Sequence, residues 1–111
     1  MNRDEIYAAV QRKLMELGAK PASKGNLILA EAVYQHRKNT GLIHGQWCKQ
    51  LLPEIGRGCG VSPESAEAHM RRTIRHLFSS DGKRVRSLLA MSSKAPEPMP
   101  REFVVILSGV I

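Results

Sequence analysis

Ser62-Pro63-Glu64-Ser65-Ala66-Glu67-Ala68-His69-Met70-Arg71-Arg72-Thr73-Ile74-Arg75-His76-Leu77-Phe78-Ser79 is the stretch whose reading decides the fold. It opens with a hydroxyl N-cap, a proline at the first helical position and an acid in the first turn, which together mark a helix start. At about 100° per residue, Ala66, Met70, Thr73, Ile74, Leu77 and Phe78 share one face. Glu64, Ala68, Arg71, Arg72 and Arg75 gather on the opposite one. One side is built to pack and the other is cationic, over a helix expected from Pro63 to about Ser79.

Upstream, Trp47, Cys48, Leu51, Leu52 and Ile55 recur at helical spacing, with Pro53 interrupting. The segment reads as one kinked helix or two short ones. Gly56, Gly58 and Gly60 follow, where a helix is expected to stop or fray. Two short helical elements joined by a turn, the second bearing an arginine cluster, are what a DNA major groove accepts. Residues at about 49–79 therefore read as a helix-turn-helix whose second helix reads DNA.

The remaining segments are helical as well. Residues 4–17 place Ile6, Val10, Leu14 and Leu17 on one stripe, with Asn2 and Glu5 spaced as a capping box and Gly18 as the stop. Ser23 caps a second helix at about 24–38, apolar nearly all round through Leu27, Ile28, Leu29, Ala30, Ala32, Val33 and Tyr34 and ending at Asn39-Thr40-Gly41. Asp81 or Ser80 caps a short helix bearing Val85, Leu88 and Leu89, with Lys83, Arg84 and Arg86 adding charge. Residues 92–100 read as a linker. Residues 101–110 are ambiguous: Val104, Val105 and Ile106 favour a strand, whereas Pro100-Arg101-Glu102 looks like a helix start. Helix is preferred, because no second strand exists to pair with it. The expected fold is an all-α compact bundle of about six helices in one domain spanning 1–111.

Length and charge agree with this. A chain of 111 residues fits one core, and 17 basic against 10 acidic residues give a net charge of +7. Such a surplus draws a protein toward polyanions, with nucleic acid the first candidate and an anionic membrane surface the second. No stretch approaches the ~18 apolar residues of a membrane span, and the start Met1-Asn2-Arg3-Asp4-Glu5 is too polar for a signal peptide. Cys48 and Cys59 match no zinc or redox spacing and are expected to be reduced in a cytoplasmic protein.

Enzyme chemistry finds no support. Asp4, Glu5 and Glu16 sit on the first helix, Glu31 and Glu54 are isolated, and Glu64 and Glu67 face solvent, so these read as exposed helix charges and not a catalytic pair. His36, His44, His69 and His76 show no metal spacing, and the glycines at 56, 58 and 60 lack the lysine and strand of a phosphate loop. No cofactor or metal is expected. Trp47 reads as core. His69 and His76 flank the cationic face, within reach of phosphate, although a plain surface role is the simpler reading.

Several segments resemble a known family. Pro21-Ala22-Ser23-Lys24-Gly25, Leu27-Ile28-Leu29-Ala30-Glu31-Ala32-Val33, Leu51-Leu52-Pro53-Glu54-Ile55 and the 62–78 helix look like the C-terminal effector domain of the stage 0 sporulation protein A family of response regulators. The resemblance implies sequence-specific double-stranded DNA binding and transcription control in a spore-forming bacterium. It also implies two domains in tandem on DNA, as a homodimer, with RNA polymerase as a further partner. In that family the recognition helix carries an acid and an arginine, then a second arginine and a histidine three residues later. Here Glu67 and Arg71 match, Ala68 replaces the first arginine, and Arg72 stands at the histidine. The mode of binding is expected to persist while the target sequence differs. The family's receiver domain has no counterpart, so the chain reads as an excised domain or a stand-alone protein.

The expected DNA-binding residues are Ser62, Glu64, Ser65, Glu67, Ala68, Arg71, Arg72, Arg75 and Lys24, with Arg71 on base edges and Arg72 and Arg75 on phosphate. An alternative is a protein-interaction module that uses the same scaffold to modulate another regulator. Adsorption to a membrane surface is a weaker third reading, since the bulky residues of the 63–79 helix belong to the core.

Overall fold

The computed structural model describes residues 1–39 and 46–111, and the regular elements among them are all helical, with no strand. In chain order they are α1 (Arg3–Glu16), α2 (Lys24–Lys38), a π-helical turn (Trp47–Leu51) running into α3 (Leu52–Cys59), α4 (Pro63–Leu88) and α5 (Pro100–Val110). Thr40, Gly41 and His44 lie outside the described residues.

Each helix starts where a local signal places it. Asn2 Oδ1 accepts from Glu5 N at 2.9 Å while Glu5 returns the bond to Asn2 N at 3.0 Å, closing the capping box of α1. At its other end Gly18, with φ of +106°, lets Ala19 N reach Leu14 O at 2.9 Å, the six-to-one closure that satisfies the last carbonyls. Ser23 Oγ accepts from Asn26 N to cap α2, and Ser62 Oγ from Ser65 N to cap α4.

α2 is the central strut, packed against α1, α3, α4 and α5. Ile28, Leu29, Ala30, Ala32 and Val33 are fully buried, but Leu27 is exposed, so its apolar surface is not buried on every side. The core draws on all five helices: Val10 and Leu14 of α1, Ile55 of α3, Met70, Ile74 and Leu77 of α4, and Phe103 and Leu107 of α5. Phe78 meets Phe103 edge to face, with ring centroids 6.3 Å apart. α5 is pinned to α2 by Arg37, whose guanidinium donates to Ser108 Oγ at 2.9 Å and to Ser108 O at 2.6 Å.

Two sequence readings hold in finer detail and one is corrected. The short helix expected after Ser80 is present as the last part of α4, set off from the rest by a kink. The kink lies at Asp81 (φ −156°, ψ 75°), where Ser79 and Ser80 hydroxyls compete for the carbonyls of Arg75 and His76 and Asp81 Oδ1 then accepts from Arg84 N. The glycines end α3 within 56–60, as expected: the helix runs to Cys59 and closes with Gly60 in the left-handed region, while Gly56 and Gly58 serve close approach instead. A Cβ at Gly56 would lie 2.6 Å from Val61 O, and one at Gly58 2.6 Å from Glu31 Oε2. Finally, Glu31 is not an exposed helix charge but is fully buried. Its carboxylate accepts from Arg3 at 2.7 Å, from Gln35 Nε2 at 2.7 Å and from the Tyr7 hydroxyl. Burial, then the bond to Glu31, pushes the Tyr7 hydroxyl well above the ordinary tyrosine range. The Arg3 guanidinium also lies over the rings of Tyr7 and Tyr34, 5.1 Å from each centroid, so this cluster ties α1 to α2.

Ala90, just past α4, has φ of +58° while Met91 N bonds Arg86 O at 2.8 Å. A non-glycine residue in that conformation costs about 1 kcal/mol. Ala90→Gly is therefore expected to raise the thermal midpoint by about 4 °C in a circular-dichroism melt. An unchanged or lower midpoint would contradict this.

Candidate nucleic-acid interface

The N-terminal two-thirds of α4 is held as a rod by its own apolar stripe. Ala66, Met70, Ile74, Leu77 and Phe78 are buried against α2, α3 and α5, while Thr73 is half-buried at the edge. That packing leaves Glu64, Arg72 and Arg75 exposed and Ala68 and Arg71 half-exposed on the outer face. The expected division of the helix into a packing side and a cationic side is therefore present in three dimensions.

α3 precedes α4 through residues 60–62 only. Gly56, buried on the inner side of α3, lets the chain fold back so tightly that Val61 N bonds Gly56 O at 2.9 Å. The π-helical turn before α3 closes with Leu52 N on Trp47 O, and Pro53 follows as the second residue of α3. Trp47 is buried, and its indole crosses to α4, where Nε1 donates to Glu67 Oε2 at 3.1 Å. The other Glu67 oxygen lies 3.6 Å from Arg71 NH2. Glu67 is thus half-buried and engaged on both sides, which corrects its reading as a plain solvent-facing charge.

On the opposite flank α4 meets the start of α2. A Cβ at Gly25 would fall 1.9 Å from Thr73 Oγ1 and 3.2 Å from His69 O, so only glycine permits this approach. It brings the first turn of α2 beside α4 and places Lys24 close to His69. A shallow groove of about 180 Å³ runs between them, lined by Ala19, Lys20, Ser23, Asn26, Arg72, Thr73 and His76. Arg72 NH2 lies 3.0 Å from His69 Nδ1, an arrangement that suits a neutral imidazole accepting from the guanidinium. Burial, with Arg72 and Lys24 adding repulsion, lowers the pKa of His69 from its ordinary value.

No family model, curated protein or solved structure matches the chain.

Among the residues expected to touch DNA, the structure brings Arg71, Arg72, Arg75, Ala68 and Glu64 onto one face and adds Lys24 from α2 at its edge. Ser62 and Ser65 take part in the cap, the Ser62 hydroxyl as acceptor and Ser65 through its N–H, so at the helix start they present backbone more than free side chains. Arg86, expected to add to the basic surface, turns inward: it donates to Ala95 O at 2.7 Å and stacks 5.0 Å from the centre of the Phe78 ring. Lys20 lines the groove beside this face together with His76, and the Trp47 indole N–H lies behind it on Glu67; neither Lys20 nor Trp47 is among the DNA-binding residues named from sequence. A lysine in a loop and a tryptophan on an apolar stripe carry no local sign of this, although an indole N–H in a core needs an acceptor somewhere.

The outer face of α4 is cationic, with the guanidinium donors of Arg71, Arg72 and Arg75 and a groove beside it. Among the described residues no group of three or more His, Cys, Asp or Glu is placed to hold a metal ion, and no helix is long and apolar enough to cross a membrane.

Proposed function

We propose that the chain binds double-stranded DNA in a sequence-specific manner, with α3 and α4 acting as a helix-turn-helix and the outer face of α4 entering the major groove. The observation that carries this reading is the arginine face of α4 (Arg71, Arg72 and Arg75), set opposite a fully buried stripe and so presented on a rigid helix. Arg71 is central on that face and directs its fork of donors at base edges. Glu64, Glu67 and Ala68 lie alongside it and shape which bases are accepted. Arg72, Arg75, Lys24 and Lys20 meet phosphates on the flanks, and Ser62 and Ser65 contribute the backbone of a helix start, a place suited to an anion. Transcription control of the sporulation type, a tandem homodimer on DNA and contact with RNA polymerase extend this reading from the sequence resemblance alone.

The test is selection of bound duplexes from a random pool, then titration of the winner and of a scrambled duplex at several salt concentrations. The selected duplex is expected to bind on the order of a thousandfold more tightly, with affinity falling steeply as salt rises. Lys24→Ala is expected to weaken both duplexes alike and to reduce the slope of log affinity against log salt by about one. Equal affinity for every duplex defeats the specific reading. A chain that ignores all duplexes yet captures a protein partner favours the interaction-module alternative.

A further inference from the structure

We propose that Trp47 is a positioning residue for Arg71, acting through Glu67, and so helps determine which DNA sequence is preferred. The inference rests on the DNA reading above. An arginine on an exposed helix face is a long, mobile side chain, and a lone i,i+4 pair with glutamate is too weak to hold it in one direction. Glu67 is not a lone partner here. Its Oε2 accepts the indole N–H of Trp47 at 3.1 Å, while Oε1 faces Arg71 NH2 at 3.6 Å. Trp47 itself is only 7% exposed and belongs to the hydrophobic core, so the anchor at the far end of the relay does not move with the surface.

The placement of Trp47 depends on its π-helical turn. The extra residue in that turn shifts Trp47 relative to Leu51, Leu52 and Ile55, all of which remain buried. The indole can then pack with its edge against α4 while the following residues keep their own contacts. Such turns concentrate at functional sites because they re-aim one side chain without breaking the helix. Arg71 is thereby held near one direction before DNA arrives, and less of its rotamer freedom remains to be lost on reading a base.

The test uses Trp47→Phe, which keeps an aromatic ring in the core and removes the N–H. Affinity for the selected duplex is expected to fall about fivefold, the worth of one hydrogen bond, while affinity for the scrambled duplex stays unchanged. In an Arg71→Ala background Trp47→Phe is expected to have no further effect on discrimination, which a merely structural role would not produce. Trp47 is the single tryptophan, so its emission gives a second readout: the selected duplex shifts it and the scrambled one does not. Glu67→Gln keeps an acceptor for the indole N–H and removes the charge facing Arg71; it must also lower discrimination, with no further effect in an Arg71→Ala background, which keeps the proposal testable if Trp47→Phe folds poorly. Equal losses on both duplexes, unchanged discrimination, or losses that add to those of Arg71→Ala overturn it. A wild-type chain that fails to discriminate at all overturns the DNA reading and the relay together. That result is distinct from a wild type that discriminates and a variant that does so equally well.

Discussion

Glu31→Ala is expected to lower the stability of the folded chain by about 3 kcal/mol and its thermal midpoint by about 10–20 °C. The side chain is fully buried and accepts from three donors on two helices. Its removal leaves Gln35 Nε2, itself buried, without that acceptor, and loosens the half-buried Tyr7 hydroxyl. Each stranded donor costs about 1–3 kcal/mol, whereas Arg3 is half-exposed and regains water, so its share is discounted. The cavity adds to the loss. A sharper test uses Gly58, where a Cβ would lie 2.6 Å from Glu31 Oε2 and 2.8 Å from its carboxyl carbon. Gly58→Ala should destabilise the wild type, yet stabilise the Glu31→Ala variant, because the clash is gone and alanine is worth about 1 kcal/mol over glycine inside a helix. Urea melts of the four proteins read this directly. Additive effects, or a Glu31→Ala cost below about 0.5 kcal/mol, would show that the cluster is not a structural clasp.

Arg71→Ala is expected to cost about 1–3 kcal/mol in binding the preferred duplex, and to change binding to a scrambled one far less. The reasoning is geometric. Arg71 lies at the middle of the outer face of α4, with Arg75 one turn on and Arg72 turned toward the first turn of α2, so Arg71 alone combines a central position with a held carboxylate partner. Arg75→Ala is the control, since loss of a phosphate contact weakens all duplexes alike. If Arg71→Ala and Arg75→Ala lower both affinities to the same degree, Arg71 is another phosphate contact and base reading must lie elsewhere on the helix.

Much of this molecule can be read before it folds. The starts of α2 and α4 follow from Ser23 and Ser62, because capping is satisfied within three residues. The two faces of α4 follow from its periodicity, since a stripe of Ala66, Met70, Ile74 and Leu77 has nowhere to go but the core. The tail from Pro100 resolves as a helix because Glu102 returns a bond to Met99 N at its start and no strand is present among the described residues to pair with Val104 and Val105.

Other features have no local signature. Gly56 and Gly58 look like helix breakers in one dimension and become the positions where α3 touches its neighbours. Arg86 carries the same charge as Arg84 in sequence, but the linker and Phe78 claim it. The arginine face of α4 was written in the chain by spacing alone, because helical geometry converts spacing into direction. Which of its members would be held, and by what, depended on Trp47 lying 20 positions before Glu67, and on Gly25 admitting α2 against Thr73. Likewise the carboxylate of Glu31 met Tyr7 from 24 positions away. Charge and periodicity are properties of a segment; burial and partnership belong to the packed whole, since a polar group enters a core only where distant parts of the chain supply its hydrogen bonds.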